Sequence, residues 1–511
     1  MNSNNFLVNK ILSASLDGIE AKVIEVEASI TKGLPNLTIV GLASSDIQEA
    51  KERAKSALAT SNFSLPPYKI TINLSPSDIK KSGTHFDLAI ATLIALNKEE
   101  IKHKNIFMFG ELGLDGKVKS SSLLFPIILS LKEQNLISKA IVPKDSLEAL
   151  SYISEVEFYG VDTLKEAIEI LKLPTLPPSF KNKMTPNAKK IKIKDKEYFY
   201  TSKYPFDFKD ILGQELALRA ALISAAGGHN ILLNGSPGSG KSMIAKRLPY
   251  ILPPLSKKEI LSIAKHQFLD KKEASFEAIR PFRSPHHSAT LAAIFGGGSY
   301  SSRIGEVALA NNGVLFFDEL PHFSSKVLEA LREPMQDRVI NIARVNSKIT
   351  YKADFIFIGA MNPCPCGNLL SKTKNCRCSD VEIKRYQNRL SDPFLDRIEL
   401  YVTMQDVDFN QKSSTTSKQM HSEVIKAFKF QKNRGQDSLN GKMDEKEIER
   451  FCILEDSAKD ILQKAISRFG LSYRSINNVK KVARTIADLE EKELINKSHI
   501  LEALNFRRRA H

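Results

Sequence analysis

The sequence predicts an α/β protein that ends in an all-helical domain. Three short apolar runs, at residues 231–233, 314–317 and 355–358, have the composition of strands buried on both faces. Helical patterns separate these runs, as in a parallel sheet. From about residue 411 the strands stop and helical periodicity continues. We therefore expect a parallel-sheet core followed by a helical domain.

The other elements follow from local periodicity. In the first part of the chain, alternating patterns predict strands at 21–28, 37–42, 68–74, 107–112 and 140–143. Amphipathic or apolar patterns there predict helices at 45–59, 86–96 and 163–171. In the last part, helices are predicted at 423–432, 446–451, 455–467, 475–489 and 497–507.

Length and composition divide the chain into four parts. At 511 residues the chain is too long for a single core. Residues 1–175 form an α+β or α/β domain of their own, and residues 176–204, rich in proline and lysine, predict a basic linker. The parallel-sheet domain is expected at 205–406 and the helical domain at 407–511.

The bulk composition limits the classes of protein and of partner. An apolar fraction of 42% and a charged fraction of 26% are typical of a soluble globular protein. No apolar run is long enough to span a bilayer and no secretory signal begins the chain, so we expect a cytoplasmic protein with no membrane partner. The formal net charge of +16 favours a polyanion such as nucleic acid, although a basic composition can serve solubility alone.

The most specific motif follows the first apolar run. Residues 235–242 match G-x-x-x-x-G-K-[ST] at every fixed position, and a helical pattern follows them. In such a loop the lysine reaches the β- and γ-phosphates of ATP and the final hydroxyl ligates Mg²⁺. We expect the nucleotide to be held by the whole loop: Gly235, Ser236, Pro237, Gly238, Ser239, Gly240, Lys241 and Ser242.

Two more strands end in residues that complete such a site. Asp318 and Glu319 follow the second apolar run, and ligands bind at the carboxyl ends of strands in open α/β sheets. We expect Asp318 to hold Mg²⁺ with Ser242, and Glu319 to orient and polarise the attacking water. Asn362 follows the third run and is expected near the γ-phosphate or that water, with a simple turn before proline as the alternative.

Two arginines are candidates for neutralising charge on the phosphates. Arg397 is a candidate because an arginine supplied by another subunit is a known device in phosphoryl transfer. Arg474 begins the helix predicted at 475–489 and points away from its apolar face. A structural ion pair or a solvated charge is the alternative for each, and Arg385 and Arg389 compete with Arg397.

Four of the five cysteines cluster in one segment, which in a cytosolic chain favours a metal over disulfides. Four thiolates suit a tetrahedral structural Zn²⁺, although the C-x-C spacing is tighter than the usual C-x₂-C and reduced thiols without a metal are the alternative. We expect a zinc knuckle at 364–378, beside Asn362, formed by Cys364, Cys366, Cys376 and Cys378.

Two other segments offer candidate contacts. Residues 338–351 alternate around Asn346 and Ser347 and predict a β-hairpin. Arg344 and Lys348 near its tip are candidates for tracking a phosphate backbone, with a solvated extension of the sheet as the alternative. The adjacent pair His286 and His287 is a candidate metal or phosphate contact, although such pairs are more often structural.

These motifs together resemble the ComM/YifB family of magnesium-chelatase-like AAA+ ATPases, and the resemblance extends nearly end to end. It rests on the phosphate loop and on segments 225–230, 280–287, 312–319, 361–367, 395–398 and 483–489. Ser236 stands where the family usually has proline, and Asp392 where it usually has glycine. The resemblance implies a ring, expected to be a homo-hexamer, with ATP at the subunit interfaces.

The same resemblance assigns a role to each candidate residue. Lys241 and Ser242 become the Walker A pair, and Asp318 and Glu319 the Walker B pair. Asn362 becomes sensor 1. The arginine finger and sensor 2 are Arg397 and Arg474, respectively.

The resemblance also implies a Lon-protease-like fold, the ribosomal S5 domain 2-like fold, for the N-terminal domain. Lon-type proteases need a serine nucleophile and a lysine base. Here His85, Phe86 and Asp87 stand where the nucleophile would lie, and segment 116–124 offers no matching lysine. We therefore expect no proteolysis and a role in assembly or DNA binding.

We conclude that the sequence predicts an ATP-hydrolysing ring motor that acts on single-stranded or branched DNA. The resemblance points to helicase or branch-migration activity in homologous recombination or natural transformation. A protein-remodelling AAA+ ATPase or a magnesium-chelatase-type motor subunit would carry the same ATPase motifs. A binding scaffold switched by ATP, and a Lon-like protease using Ser82 or Ser75, are further alternatives.

Overall fold

The computed structural model describes residues 9–97, 99–181, 185–297, 303–343, 348–371, 373–406 and 415–508. The chain divides into two compact units, Met1–Pro186 with Ala264–Ser275, and Asn187–Ile263 with Phe276–His511. The division at residue 186 falls within the predicted linker. The second unit contains both the predicted parallel-sheet domain and the predicted helical domain.

The first unit is built on a seven-stranded mixed sheet of order β3-β4-β2-β1-β5-β8-β9, beside a ribbon of β6 and β7. Its strands are β1 (Asn9–Asp17), β2 (Glu20–Thr31), β3 (Asn36–Val40), β4 (Lys69–Ser75), β5 (Phe107–Met108), β6 (Glu111–Leu112), β7 (Val118–Lys119), β8 (Lys139–Pro143) and β9 (Glu157–Val161). The antiparallel pairs β1–β2 and β2–β4 form its centre, and the other neighbours pair in parallel.

Helices cover this sheet: α1 (Ser45–Thr60), α2 (Asp87–Ala95), α3 (Leu124–Glu133), α4 (Leu147–Leu150) and α5 (Leu164–Lys172). The apolar faces of α1, α2 and α5 join those of the strands in one core. The three predicted helices of this region are confirmed. The strand predicted at 107–112 is interrupted and divides into β5 and β6. The helix α3 was not predicted, and it tolerates Pro126 because a proline in the first turn removes no helical hydrogen bond.

The second unit contains the remaining strands: β10 (Lys189–Ile193), β11 (Lys196–Tyr200), β12 (Ile231–Asn234), β13 (Leu255–Ser256), β14 (Phe282–Arg283), β15 (Gly296–Gly297), β16 (Arg303–Ile304), β17 (Val314–Phe317), β18 (Val339–Ala343), β19 (Lys348–Lys352), β20 (Ile356–Met361) and β21 (Leu400–Thr403). Its central sheet has the order β14-β17-β20-β12-β21, and every pair in it is parallel. The predicted parallel core is confirmed.

The helices numbered from α6 onward complete the described fold: α6 (Glu215–Gly227), α7 (Lys241–Arg247), α8 (Lys257–Leu269), α9 (Leu291–Phe295), α10 (Glu306–Leu309), α11 (Ser325–Ala330), α12 (Arg332–Asp337), α13 (Asp380–Gln387), α14 (Asp392–Leu395), α15 (Ser417–Asn433), α16 (Glu445–Phe451), α17 (Asp456–Phe469), α18 (Tyr473–Leu489) and α19 (Lys497–Asn505). The five helices predicted for the end of the chain are confirmed as α15 to α19. Residues of these helices share one hydrophobic core with β12, β20 and β21. Because of this shared core, the helical region packs directly on the central sheet.

Part of the predicted linker is folded, which corrects the interpretation of 176–204. The strands β10 and β11 pair antiparallel, and β11 continues the sheet to β13. Ile193, Tyr198 and Phe199 are buried there, whereas the lysines of β10 face outward. The alternation of lysine and isoleucine is therefore that of an edge strand with one solvated face.

The predicted hairpin is confirmed in its two strands. The strands β18 and β19 pair antiparallel from Val339–Lys352 to Ala343–Lys348. Arg344 at the proposed tip lies outside the described residues, and the structure says nothing of the Lys348 side chain. Within the described ranges, no helix combines the length and the apolar character that crossing a bilayer requires.

Candidate nucleotide-binding and hydrolysis site

The phosphate loop joins the buried strand β12 to the helix α7. Gly240 precedes α7 with a φ of 94°, a left-handed conformation that favours glycine and aims the first N–H groups of the helix into the loop. The hydroxyl oxygens of Ser236 and Ser239 are buried, and neither has a hydrogen-bond partner in the described part of the chain. Buried donors without partners at a helix N-terminus suit the oxygens of a bound phosphate.

Lys241 lies at the centre of this loop with its amine enclosed. The Nζ atom donates to the carbonyl oxygens of Gly235 at 2.6 Å and Ser236 at 2.9 Å, and to Oδ1 of Asn362 at 3.2 Å. Burial lowers the pKa of Lys241, and the nearby Asp318 carboxylate partly opposes that effect. A desolvated ammonium gains most from an anionic ligand, which is what ATP would supply.

Ser242 and Asp318 face each other across the site. The Ser242 hydroxyl donates to Oδ2 of Asp318 at 2.8 Å. Asp318 directly follows β17, whose four residues are all buried. A hydroxyl and a carboxylate in contact form an all-oxygen donor pair, which is what Mg²⁺ prefers, so these two residues fit the predicted metal site.

Glu319 is the exposed member of the acidic pair. Its N–H donates to Oδ1 of Asp318 at 3.0 Å, and its φ of 51° turns the chain sharply after β17. The Glu319 side chain is 57% exposed, and its Oε2 lies 3.5 Å from Nδ1 of His287. The carboxylate is thus open to water while its backbone is fixed beside Asp318.

Asn362 follows β20, the strand between β12 and β17 in the sheet. Its Oδ1 accepts the Lys241 hydrogen bond, so the structure brings together Lys241, Ser242, Asp318 and Asn362 as the sequence predicts. The convergence follows from topology, because neighbouring parallel strands all finish at the same end of the sheet.

The four clustered cysteines meet directly after Asn362. The Sγ atoms of Cys364, Cys366 and Cys376 lie 3.5–3.6 Å apart, and all four Sγ atoms, with that of Cys378, lie within 4.8 Å of one another. A tetrahedral Zn²⁺ with bonds of about 2.3 Å places its sulfur ligands about 3.8 Å apart. Backbone N–H groups of Arg377 and Asn368 lower the pKa of Cys366 to about 6, whereas burial and the neighbouring cysteines raise the pKa of Cys376 and of Cys378, so the sulfur spacing is what favours a metal. The cluster therefore fits Zn²⁺.

The cysteine segment also touches the phosphate loop. A Cβ atom built on Gly367 would lie 2.6 Å from Cδ of Pro237 and 3.9 Å from Cγ of Asn362. Near the same end of the segment, Nε2 of Gln387 in α13 donates to the carbonyl oxygen of Pro363 at 3.1 Å. The segment thus forms one wall of the nucleotide site.

Arg397 lies at the end of the sheet opposite the phosphate loop, where the parallel strands begin. Its carbonyl oxygen accepts a hydrogen bond from Nδ2 of Asn230 at 2.9 Å, immediately before β12 begins. The four residues of β12 separate this end of the sheet from the phosphate loop by roughly 10 Å or more. The Arg397 guanidinium donates instead to the carbonyl oxygen of Arg332 at 3.0 Å and to Oε1 of Gln336 at 2.8 Å.

Arg474 lies with Arg397. Its Nη2 donates to the same Gln336 Oε1 at 3.1 Å, from the first turn of α18. Burial, followed by the neighbouring charges of Arg474 and Arg332, lowers the pKa of Arg397. Arg397 and Arg474 thus share one neutral amide oxygen and form a cationic pair there.

Comparisons with known proteins identify the family of this chain. Family models of the magnesium chelatase subunit ChlI match residues 207–412, as "Magnesium chelatase, subunit ChlI", and 26–146, as "Subunit ChlI of Mg-chelatase". The C-terminal ChlI model matches residues 414–507. The chain is 38% identical to the competence protein ComM of Haemophilus influenzae, over 97% of both chains.

The chain belongs to the ComM/YifB family. It is also 37% identical to the uncharacterized protein YifB of Escherichia coli, covering 96% of this chain and 95% of that protein. The uncharacterized protein Rv2897c of Mycobacterium tuberculosis is 32% identical over 98% of both chains. The second unit therefore contains a magnesium-chelatase-type AAA+ domain and the helical region that follows it.

Within this AAA+ domain, sequence reasoning missed two residues that contact the candidate site, Gln336 and Gly367, and it named His287 only as a candidate metal or phosphate contact. Gln336 bridges the two arginines, Gly367 packs on the phosphate loop, and His287 faces the Glu319 carboxylate. The pair of histidines was a visible signal, but nothing local marked Gln336 or Gly367. Their partners are distant along the chain, so only the folded structure identifies them.

Proposed function

We propose that this protein hydrolyses ATP in a ring of identical subunits and uses the energy to move DNA. The observation that carries the proposal is the meeting of Lys241, Ser242, Asp318 and Asn362 at one edge of a parallel sheet. In the proposed site Lys241 binds the phosphates, while Ser242 and Asp318 hold Mg²⁺. When bound, Mg²⁺ neutralises charge on the phosphate oxygens.

Glu319 is the proposed general base. Its carboxylate is exposed to solvent, so it can accept a hydrogen bond from a water molecule and draw off its proton. Asn362 is held by Lys241 and would fix the position of that water relative to the phosphates. The two carboxylates thus have separate tasks, because Asp318 is engaged by Ser242 and Glu319 is not.

The arginine cluster supports a ring. Arg397 and Arg474 both donate to Oε1 of Gln336. They lie at the end of the sheet opposite the phosphate loop of their own subunit. In a head-to-tail ring, such a cluster can face the phosphates of the neighbouring subunit, where it would stabilise charge in the transition state. We propose a homo-hexamer in which both arginines act on the neighbour's ATP.

Three observations support DNA as the object of the motor. The Haemophilus relative is named a competence protein. The net charge of +16 suits a polyanion, and the exposed lysines of β10 contribute to it. The strands β18 and β19 form the predicted hairpin, which we propose contacts a DNA strand. We propose helicase or branch-migration activity on single-stranded or branched DNA, in recombination or natural transformation.

A magnesium-chelatase-type or protein-remodelling motor is the second candidate, favoured by the three ChlI matches. ATPase rates measured with and without single-stranded or four-way DNA separate the two. A DNA-acting motor is expected to be stimulated by DNA, and the stimulation should weaken as salt is added. Equal rates with and without DNA at low salt would favour the second candidate.

The first unit is proposed to have a Lon-protease-like fold without proteolytic function. The Lys81 amine donates to the carbonyl oxygen of Pro76, and Asp87 pairs with Arg53 at 2.6 Å. The His85 ring is fully buried and bonds to the carbonyl oxygen of Ala14. These three side chains therefore make structural contacts within the folded unit. A casein-cleavage assay is expected to show no activity, and cleavage abolished by Ser82→Ala would contradict this.

A structural Zn²⁺ on the four cysteines is the last part of the proposal. The sulfur spacing supports it, and the metal would brace the wall formed by Gly367 against Pro237. Metal analysis of the purified protein is expected to give about one zinc per chain. Protein that is free of zinc yet has unchanged ATP affinity would contradict this role.

A further inference from the structure

A cavity of about 420 Å³ opens at the end of the central sheet opposite the phosphate loop, where the strands begin. Gly313, Phe355 and Ile356, at the amino ends of β17 and β20, form its floor. Tyr198 of β11 and Phe428 of α15 contribute to its walls. Its size is within the range of small-molecule sites, and nothing in the proposed ATPase mechanism uses it.

The walls carry an excess of positive charge. Six cationic side chains and three carboxylates line the cavity, which leaves three positive charges in excess. Three ion pairs account for all the carboxylates: Lys196 with Asp437 at 3.8 Å, Arg280 with Glu259 at 3.4 Å, and Lys442 with Asp354 at 3.5 Å.

The three remaining cations are Lys258, Arg338 and Lys432. Within the described ranges, no carboxylate oxygen lies within 4.0 Å of their nitrogen atoms. Lys432 donates to the carbonyl oxygens of Gln436, at 3.2 Å, and Asp437. Arg338 donates to the carbonyl oxygen of Lys442 at 2.6 Å. The hydrogen bonds of Arg338 and Lys432 therefore go to neutral carbonyl oxygens, and an anion among the three cations would add charge-assisted hydrogen bonds.

Burial strengthens this argument for Lys432. Burial lowers the pKa of Lys432; the nearby carboxylates of Asp437 and Glu259 oppose that effect, and the charges of Lys196 and Arg280 add to it. A desolvated lysine beside other cations is stabilised in its charged form by an anionic ligand. Lys258 is exposed at the rim, where it can attract such a ligand.

The apolar part of the wall fits a flat body. The rings of Tyr198 and Phe428 meet edge to face, with centroids 5.1 Å apart, beside Leu252 and Pro253. We propose that this cavity binds a small phosphate monoester with a planar body, the class that includes nucleoside monophosphates. The phosphate would lie among the three cations that form no ion pair, and the planar body would lie against the aromatic wall.

The position of the cavity gives such a ligand a structural consequence. Arg338 and Asp354 flank the β18–β19 hairpin, and Phe428 and Lys432 belong to α15 of the helical region. One ligand would therefore contact the base of the hairpin and the helical region together. The site is separate from the phosphate loop, so its occupancy does not depend on the proposed motor function.

The test uses the full chain carrying Lys241→Ala, so that the phosphate loop does not compete for the probe. Lysines are acylated with and without adenosine 5′-monophosphate, and the extent at each lysine is read by mass spectrometry. The nucleotide is expected to protect Lys432 and Lys258, whereas the exposed Lys459 should react equally in both samples. Unchanged acylation of Lys432 at saturating nucleotide would overturn the proposal.

Calorimetric titration of variants locates the site. Arg338→Gln is expected to weaken nucleotide binding about tenfold, the loss of one charge-assisted hydrogen bond. Lys258→Gln should weaken binding without affecting folding, because that side chain is exposed. The matched control Lys190→Gln removes an exposed lysine outside the cavity. Equal affinity in all three variants, or protection of Lys432 by single-stranded DNA and not by the nucleotide, would refute a small-molecule site.

Discussion

Gly367→Ala is expected to weaken ATP binding without removing any group that binds ATP. Gly367 has a φ of 80°, and a Cβ at this position would lie 2.6 Å from Cδ and 2.8 Å from Cγ of Pro237. The proline ring is rigid and belongs to the phosphate loop. The added methyl group must therefore displace either the loop or the cysteine segment.

The magnitude follows from two separate costs. A left-handed φ costs an alanine about 1 kcal/mol relative to glycine. Overpacking at the Pro237 contact costs about 1–3 kcal/mol more. If the loop moves to relieve the contact, it must return before it can hold phosphates. The second cost would then appear in the ATP affinity as a loss of about 5- to 150-fold.

Gly435→Ala is the matched control. Gly435 has a φ of 83°, and nothing lies within 4 Å of the position of its Cβ. This variant pays the same backbone cost, so thermal unfolding should show both variants destabilised. ATP affinity, measured by titration of a fluorescent ATP analogue, should fall only in Gly367→Ala. Equal dissociation constants for the two variants would refute the coupling of the cysteine segment to the phosphate loop.

Four further predictions follow from the site and its surroundings. Glu319→Gln should reduce ATP turnover about 100- to 1000-fold while ATP binding persists, and unchanged turnover in a phosphate-release assay would refute the role of the base. Mixing inactive Arg397→Ala and Lys241→Ala proteins should restore part of the ATPase rate if the arginine acts on a neighbour; no restoration in mixed rings would contradict that arrangement. Removing zinc with a chelator should weaken ATP binding in parallel with metal loss, as titrations before and after chelation would show. Burial lowers the pKa of His229 from 6.5 to about 3, so its unfolding takes up a proton below pH 6.5. The contribution of His229 to the free energy of unfolding should fall by about 2 kcal/mol between pH 6.5 and 5, so His229→Gln should lose that much less stability over this range than the unaltered protein, as denaturant titrations at several pH values would show.

Local sequence patterns predict much of the fold and the residues of the site that follow the strands of the parallel sheet. The runs that became β12, β17 and β20 are apolar throughout, and their final residues determine where Asp318 and Asn362 lie. Strand order follows less directly from sequence. Once the sheet is parallel, however, its carboxyl ends must share an edge, so the meeting of these residues with Lys241 could be predicted.

The arrangement of the arginines could not be predicted in this way. Gln336 joins Arg397 and Arg474 from positions far apart in the chain, and a single glutamine in a short helix gives no local signal. The strands within 189–200 were missed for a related reason. A lysine-rich alternation resembles a solvated spacer until Tyr198 and Phe199 are buried by neighbours such as β13.

Branch migration of four-way DNA by the purified protein tests the central proposal most directly. A motor of the proposed kind should convert the junction to duplex products only when ATP and Mg²⁺ are present. The Lys241→Ala protein should produce none, because it lacks the amine that binds the phosphates. No ATP-dependent product from the unaltered protein, or equal product from the Lys241→Ala protein, would contradict the proposal that this site drives movement of DNA.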